Sequence, residues 1–346
     1  MALRVTAAAV LVAAAAGCSQ DDDGARRSAL TVAGYVAPWD QRSRPALDRP
    51  PAPVGELSPV WYQPTESGEV RVVDGARGRA ESAATTRGEE PVSLVPSVSN
   101  FRDGRWDGEL VAAILNDQER RRAHIEALVE VASAPRVAGI DLDYESLDGA
   151  DREAYSAFVR DLASALHDAD RTLSLTVHAK TGEPGHWPGA EAQDWRALGD
   201  AADSVRIMAY DHAWEGSPPG PVAPLPWVDD VLRFAVDEIP PEKISLGLPT
   251  YGYDWPDGGA GADVAWADAT ALVESAGADE RWDDESASPW LSYTDDTGTS
   301  HTVWYEDARS LEAKVDLARR YDLGGVFVWK IGGEDPSIWE VLQDDA

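Results

Sequence analysis

The chain has 346 residues, 43% hydrophobic and 27% charged, a balance that excludes a disordered polypeptide and a polytopic membrane protein. Acidic residues number 62 against 30 basic ones, and the resulting net charge of −32 repels nucleic acid and anionic membrane surfaces, which excludes nucleic acid as a partner. Only four lysines occur, Lys180, Lys243, Lys314 and Lys330, as in proteins of a salty habitat or of GC-rich coding sequence, and both readings stand.

The one long apolar stretch, Val5 to Gly17 behind Arg4, is too short and too alanine-rich to span a bilayer comfortably, and residues 1–17 read as a signal peptide. It ends Ala15-Ala16-Gly17-Cys18, which resembles a bacterial lipobox, so Cys18 is the expected lipidation site; an ordinary free cysteine is the competing reading. The mature protein is then extracytoplasmic, either lipid-anchored to the cell membrane or secreted, and meets the membrane through the lipid alone. Cys18 is the only cysteine, so packing without an internal disulfide must hold the fold. Residues 18–28, with Asp21-Asp22-Asp23-Gly24, read as a polar tether, and 29–346 as one domain expected to act as a monomer.

Beyond the tether, eight β-rich runs centre on Val32–Val36, Leu57–Tyr62, Val92–Pro96, Val137–Tyr144, Leu173–Val177, Val205–Tyr210, Ile244–Leu248 and Gly325–Trp329. Most precede a segment that reads as helical. The apolar sets Ile125, Leu128, Val129, Ala132 and Tyr155, Phe158, Val159, Leu162 repeat at i, i+3, i+4, i+7 and predict two amphipathic helices. Eight β/α units close a (β/α)8 TIM barrel, and the surplus length falls late. About 251–306, between strands 7 and 8, reads as a small α+β insertion in which Pro289–Tyr293 and His301–Tyr305 flank the turn signal Asp295-Asp296-Thr297-Gly298.

The chemistry concentrates on the fourth run, Gly139-Ile140-Asp141-Leu142-Asp143-Tyr144-Glu145. Strand side chains alternate faces, so Asp141, Asp143 and Glu145 share one face and Ile140, Leu142 and Tyr144 the other. Three acids in one column repel each other, a cost that a purely structural strand avoids with Val or Leu. Repulsion and burial raise at least one pKa, and Glu145, at the strand end where barrel active sites lie, is placed to hold a proton for a leaving group. A solvated strand of an acidic protein and a divalent-metal site are the competing readings. No metal and no cofactor are expected.

This run resembles glycoside hydrolase family 18, whose fourth strand carries Asp-Gly-x-Asp-x-Asp-x-Glu. Gly139, Asp141, Asp143 and Glu145 match, while Ala138 replaces the first Asp and Tyr144 stands where some members have Trp. Ala138 lies outside the inward column, so its departure is expected to touch packing more than chemistry. Met208-Ala209-Tyr210-Asp211 is similar to the family's Met-x-Tyr-Asp segment, and Trp329 ends the eighth run as the family's tryptophan does. Pro221–Pro224, Pro226-Trp227 and Gly247–Trp255 resemble the spore-cortex-lytic, peptidoglycan-directed branch.

The resemblance implies hydrolysis of β-linked N-acetylglucosamine polymers, peptidoglycan or chitin, by a retaining mechanism in which the substrate supplies the nucleophile. It implies Glu145 as proton donor, Asp143 as partner of the substrate acetamide and Asp141 as the charge beneath it. Tyr210 and Asp211 then position the acetamido group, Trp329 floors the sugar, and Met208 joins the substrate-binding residues. Singly, Tyr210 and Trp329 also read as core aromatics and Asp211 as a helix N-cap. Asn100, Trp39 and Asp40 sit where substrate-binding loops belong, though a turn or cap role fits equally. His178 and Lys180 lie at the same end and read first as structural, and Trp187, Trp195, Trp214 and Trp255 divide between cleft and core. A silent sugar-binding protein on the same barrel is the alternative function; silent relatives typically lose the proton donor, and this chain keeps Glu145.

Overall fold

The computed structural model describes residues 29–73, 86–87 and 90–343, so the signal-peptide, tether and Cys18 expectations lie outside the described residues. Eight strands form the barrel: β1 (Thr31–Val36), β2 (Glu56–Pro64), β3 (Ser97–Ser99), β4 (Gly139–Asp143), β5 (Thr172–His178), β6 (Ser204–Met208), β7 (Ile244–Pro249) and β8 (Gly325–Trp329). Each pairs in parallel with its successor, and β1 pairs with β8 from Thr31↔Gly325 to Gly34↔Val328, which closes the ring. The fold is a (β/α)8 TIM barrel.

Two apolar assemblies follow from strand alternation. Outward side chains such as Val32, Leu57, Ile140, Leu142, Leu175, Val205, Leu246 and Val326 meet the helices in one continuous core. The helix α1 (Gln118–Ala132) starts at Asp117, whose carboxylate accepts from the Glu119 and Arg120 N–H groups, and buries Leu128 and Ala132. The helix α2 (Arg152–Asp168) buries Tyr155, Phe158, Val159 and Leu162, the whole predicted stripe. Each such side chain contributes about 1.5–3 kcal/mol by leaving water. Inside the barrel a smaller cluster joins Ala33, Tyr35, Val60 and Phe327 with Met208, Tyr210 and Trp329.

The third strand differs from the predicted Val92–Pro96. Ser93–Leu94 pairs with β2, the ladder breaks at Pro96, which has no N–H to give, and β3 proper begins one residue later, between β2 and β4. Ser97 and Ser99 stand opposite Asp141 and Asp143 on β4, and all four are buried. A Ser-Val-Ser strand carries no apolar run, so sequence periodicity passes over it.

The insertion has the α+β composition predicted. Tyr251–Pro256, Ala262–Ala265, Asp279–Asp283, Ser288–Thr294 and Ser300–Tyr305 form an antiparallel sheet, and the helix α3 (Trp266–Ser275) packs near Leu291 and Val303. The hairpin turns at Asp295, whose Oδ1 accepts from the Thr297 and Thr299 N–H groups at 2.9 and 2.8 Å. Tyr251, Tyr253 and Trp255, alternating along the first of these strands, pack toward Tyr210 and Trp329 at the barrel mouth.

Candidate active site

Asp141 is fully buried inside the barrel and tied to three other strands. It accepts hydrogen bonds from Tyr35 Oη at 2.8 Å, Ser174 Oγ at 3.0 Å and Thr176 Oγ1 at 3.1 Å, and Arg206 Nη1 stands 3.6 Å away. Arg206 is held in turn by Ser58 Oγ at 2.7 Å, by Tyr35 Oη at 3.0 Å and by an ion pair with Glu56. Asp141 is therefore the compensated base of the column.

Asp143, one step nearer the mouth, is left unsatisfied. Its Oδ1 is buried with no hydrogen-bond partner among the described residues, and burial, then the Asp141 charge, pushes its carboxyl well above the usual carboxylate range. Glu145 rises likewise, from burial first and then from Asp143 and Asp211. A carboxyl raised in this way carries its proton toward neutral pH, as a general acid requires.

The outward face of the same segment explains its rigidity. Tyr144 is buried under α1, where its hydroxyl donates to His124 Nε2 at 2.6 Å. His124 Nδ1–H donates to the Gly68 carbonyl at 2.8 Å, and burial lowers the imidazole to about 4, so the neutral ring is an acceptor for Tyr144. On the other side Asn100 clamps Glu145: its Nδ2 donates to the Glu145 carbonyl and its Oδ1 accepts the Glu145 N–H, both at 2.9 Å. Asn100, expected to bind substrate or to serve a turn or cap, is buried with both polar ends of its amide on the Glu145 backbone.

The remaining site residues come from β6 to β8. Tyr210 lies beside Gly247, where an added Cβ would stand 2.7 Å from both the Tyr210 and Phe327 rings, so glycine makes room for the tyrosine. Both Asp143 and Glu145 lie near enough to Tyr210 to raise its phenol, after the larger effects of burial, Tyr35 and Asp211. Met208 packs with Tyr210 and Trp329 in the interior cluster. The Trp329 ring meets Tyr35 edge-on at 5.5 Å, and Thr250 pins the following residue by donating to the Lys330 carbonyl at 2.7 Å and accepting its N–H at 3.0 Å. Asp211 caps no helix. It has φ 57°, and its Oδ1 accepts from Tyr251 at 2.5 Å and Tyr253 at 3.0 Å, so the insertion reaches into the site through two hydroxyls.

Of the secondary candidates, Asp40 pairs with Lys330 and joins the loops after β1 and β8. Lys180 is structural: its buried ammonium donates to Glu183 at 2.7 Å and to the Gln193 carbonyl at 2.6 Å. Trp195 and Trp255 are core residues, while Trp39, Trp187 and Trp214 are exposed on loops at the mouth. His178 is less ordinary than its sequence context implied, since its Nε2 is buried without a hydrogen bond among the described residues and stands 3.7 Å from Glu145 Oε2. Sequence reasoning missed Tyr35, Thr176, Arg206 and Gln193; only the inward alternation of Tyr35 and Arg206 on their strands signals them. Among the described residues no group of three His, Cys, Asp or Glu side chains is placed to hold a metal ion.

Comparison with known proteins places the barrel in a family. The family model for glycosyl hydrolases family 18 matches residues 32–334. The chain is 33% identical over 256 residues to the cortical fragment-lytic enzyme of Bacillus anthracis, covering 72% of this chain and 59% of that one, so it spans about three fifths of that relative's length. Among solved structures, a chitinase from Chromobacterium violaceum superposes with TM-score 0.85 at 32% identity, covering 92% of this chain and 99% of the chitinase. The spore cortex-lytic enzyme SleL of Bacillus cereus superposes with TM-score 0.82 at 28% identity, over 92% of this chain and 75% of SleL. With the acid column, the tyrosine after β6 and the tryptophan of β8 in one barrel mouth, the chain belongs to glycosyl hydrolases family 18.

Proposed function

We propose that this chain is a retaining glycosidase that cleaves β-linked N-acetylglucosamine polymers, peptidoglycan or chitin, with Glu145 as proton donor. The observation that carries the proposal is the Asp141, Asp143, Glu145 column, grounded at its base by Arg206 and three hydroxyls and carrying raised carboxyls at its open end. The names of the relatives, a cortical fragment-lytic enzyme and a chitinase, support the substrate class.

In this mechanism Glu145 gives its proton to the glycosidic oxygen as the bond to the anomeric carbon breaks. The carbonyl oxygen of the substrate's own acetamide attacks that carbon from the opposite side, forming an oxazolinium ion, and water later opens it with Glu145 as the base. The acetamide N–H supplies the partner that Asp143 Oδ1 lacks, and a hydrogen bond to the carboxylate favours its charged form, which then stabilises the cation. Tyr210 and Asp211 orient the acetamide, and Trp329 forms the apolar floor.

Hydrolysis of a chromogenic N-acetylglucosamine oligomer tests the reading. Glu145→Gln is expected to lose about 10²–10⁴-fold in kcat; equal activity of the variant and the wild type, or an inert wild type, overturns it. We also propose that the protein works outside the cytoplasm as a monomer, lipidated at Cys18. Labelled fatty acid should appear on the wild type and be absent from Cys18→Ser, and its appearance on both rejects that attachment site.

A further inference from the structure

We propose that His178 and Trp187 hold the leaving-group sugar, Trp187 against its apolar face and His178 Nε2 on one of its hydroxyls. This rests on the glycosidase reading above and extends it to the side of the bond that the acid column does not address.

The position follows from what Glu145 must do. Its proton goes to the glycosidic oxygen, which departs with the sugar beyond the cleaved bond, so side chains bordering the Glu145 carboxyl border that sugar as well. Trp329 ends β8, four strands around the ring from β4. The unit being cleaved therefore lies between Trp329 and Glu145, and the next unit falls beyond Glu145, whose carboxyl is bordered by His178 at the end of β5, Nε2 standing 3.7 Å from Oε2.

The local structure there is built for a ligand. His178 is 8% exposed, yet its Nε2 has no hydrogen-bond partner among the described residues, and a buried polar atom left unmatched in this way calls for a ligand to meet it. Burial holds the ring neutral, lowered to about 3, so it is free to give or accept a hydrogen bond beside an acid without becoming that acid's counter-ion. Trp187 meets the His178 ring edge-on, centroids 4.3 Å apart, and is 40% exposed. Gly189 packs against the indole, where an added Cβ would stand 2.3 Å from two ring carbons. Gln193 fixes the assembly, accepting the His178 N–H at 2.8 Å and donating to the carbonyl of Tyr144 at 3.4 Å, next to Glu145. An apolar plate with one convergent polar group is the usual composition of a sugar-sized site.

The test compares two substrates, an N-acetylglucosamine oligomer and the preformed N-acetylglucosamine oxazoline, which uses the same acid column but has no leaving sugar. Trp187→Ala is expected to lose about tenfold more kcat/KM on the oligomer than on the oxazoline, mainly through KM. His178→Leu should show the same bias, and Gly189→Ala, which displaces the indole without removing it, should reproduce it. Equal losses on the two substrates in Trp187→Ala and Gly189→Ala overturn the proposal and leave the glycosidase reading standing. A wild type that processes neither substrate overturns both.

Discussion

At the scale of single residues, the site separates one compensated acid from two uncompensated ones. Asp141 has hydroxyl donors and a guanidinium, Asp143 has a bare buried oxygen, and Glu145 is aimed by an amide clamp on its own backbone. Because negative charge on Asp143 helps raise Glu145, Asp143→Asn should lower the Glu145 pKa. Glu145 is active when protonated, so the alkaline limb of the kcat/KM profile should move to lower pH, together with a fall in kcat. A limb that stays in place or moves to higher pH contradicts the coupling. The alternation of acids was legible in sequence because it needs only the two-residue period of a strand. Their partners were not: Asn100 acts on Glu145 from 45 positions away, Tyr35 on Asp141 from 106, and Tyr251 on Asp211 from 40.

At the scale of elements, the strands with several apolar outward residues were readable, and the three-residue β3, with Val98 alone in the outer core, was displaced. Val205-Arg206-Ile207 and Leu246-Gly247-Leu248 show the outward pattern, whereas Ser97-Val98-Ser99 has serines facing the acids and became visible only through its pairing with β4. Gly247 shows how an element serves the site, since its missing side chain leaves the volume that Tyr210 occupies. Gly247→Ala should therefore cost about 1–3 kcal/mol through overpacking and reduce kcat by displacing Tyr210. Thermal unfolding and oligomer hydrolysis check this together, and a variant with unchanged Tm and unchanged kcat would show that Tyr210 does not depend on that space.

At the scale of the whole molecule, the barrel count and the late insertion followed from chain length and the order of β-rich runs. The grip of the insertion on the site did not, because Tyr251 and Tyr253 look like ordinary strand aromatics until their hydroxyls are seen on Asp211. The net charge of −32 also acts at this scale. Self-repulsion opposes the compact state and salt screens it, so Tm should rise as ionic strength is raised from low to physiological values. A Tm that falls over that range would show the surface ion pairs outweighing the repulsion.

In the proposed mechanism the nucleophile is the substrate's own acetamide rather than a side chain of the barrel. The most direct measurement is kcat/KM on an N-acetylglucosamine oligomer against the same oligomer deacetylated at the unit whose bond is cleaved. Loss of the acetyl group should reduce turnover by about 10³-fold or more, since the attacking oxygen and the Asp143 partner disappear together. Comparable rates on the two oligomers would contradict it.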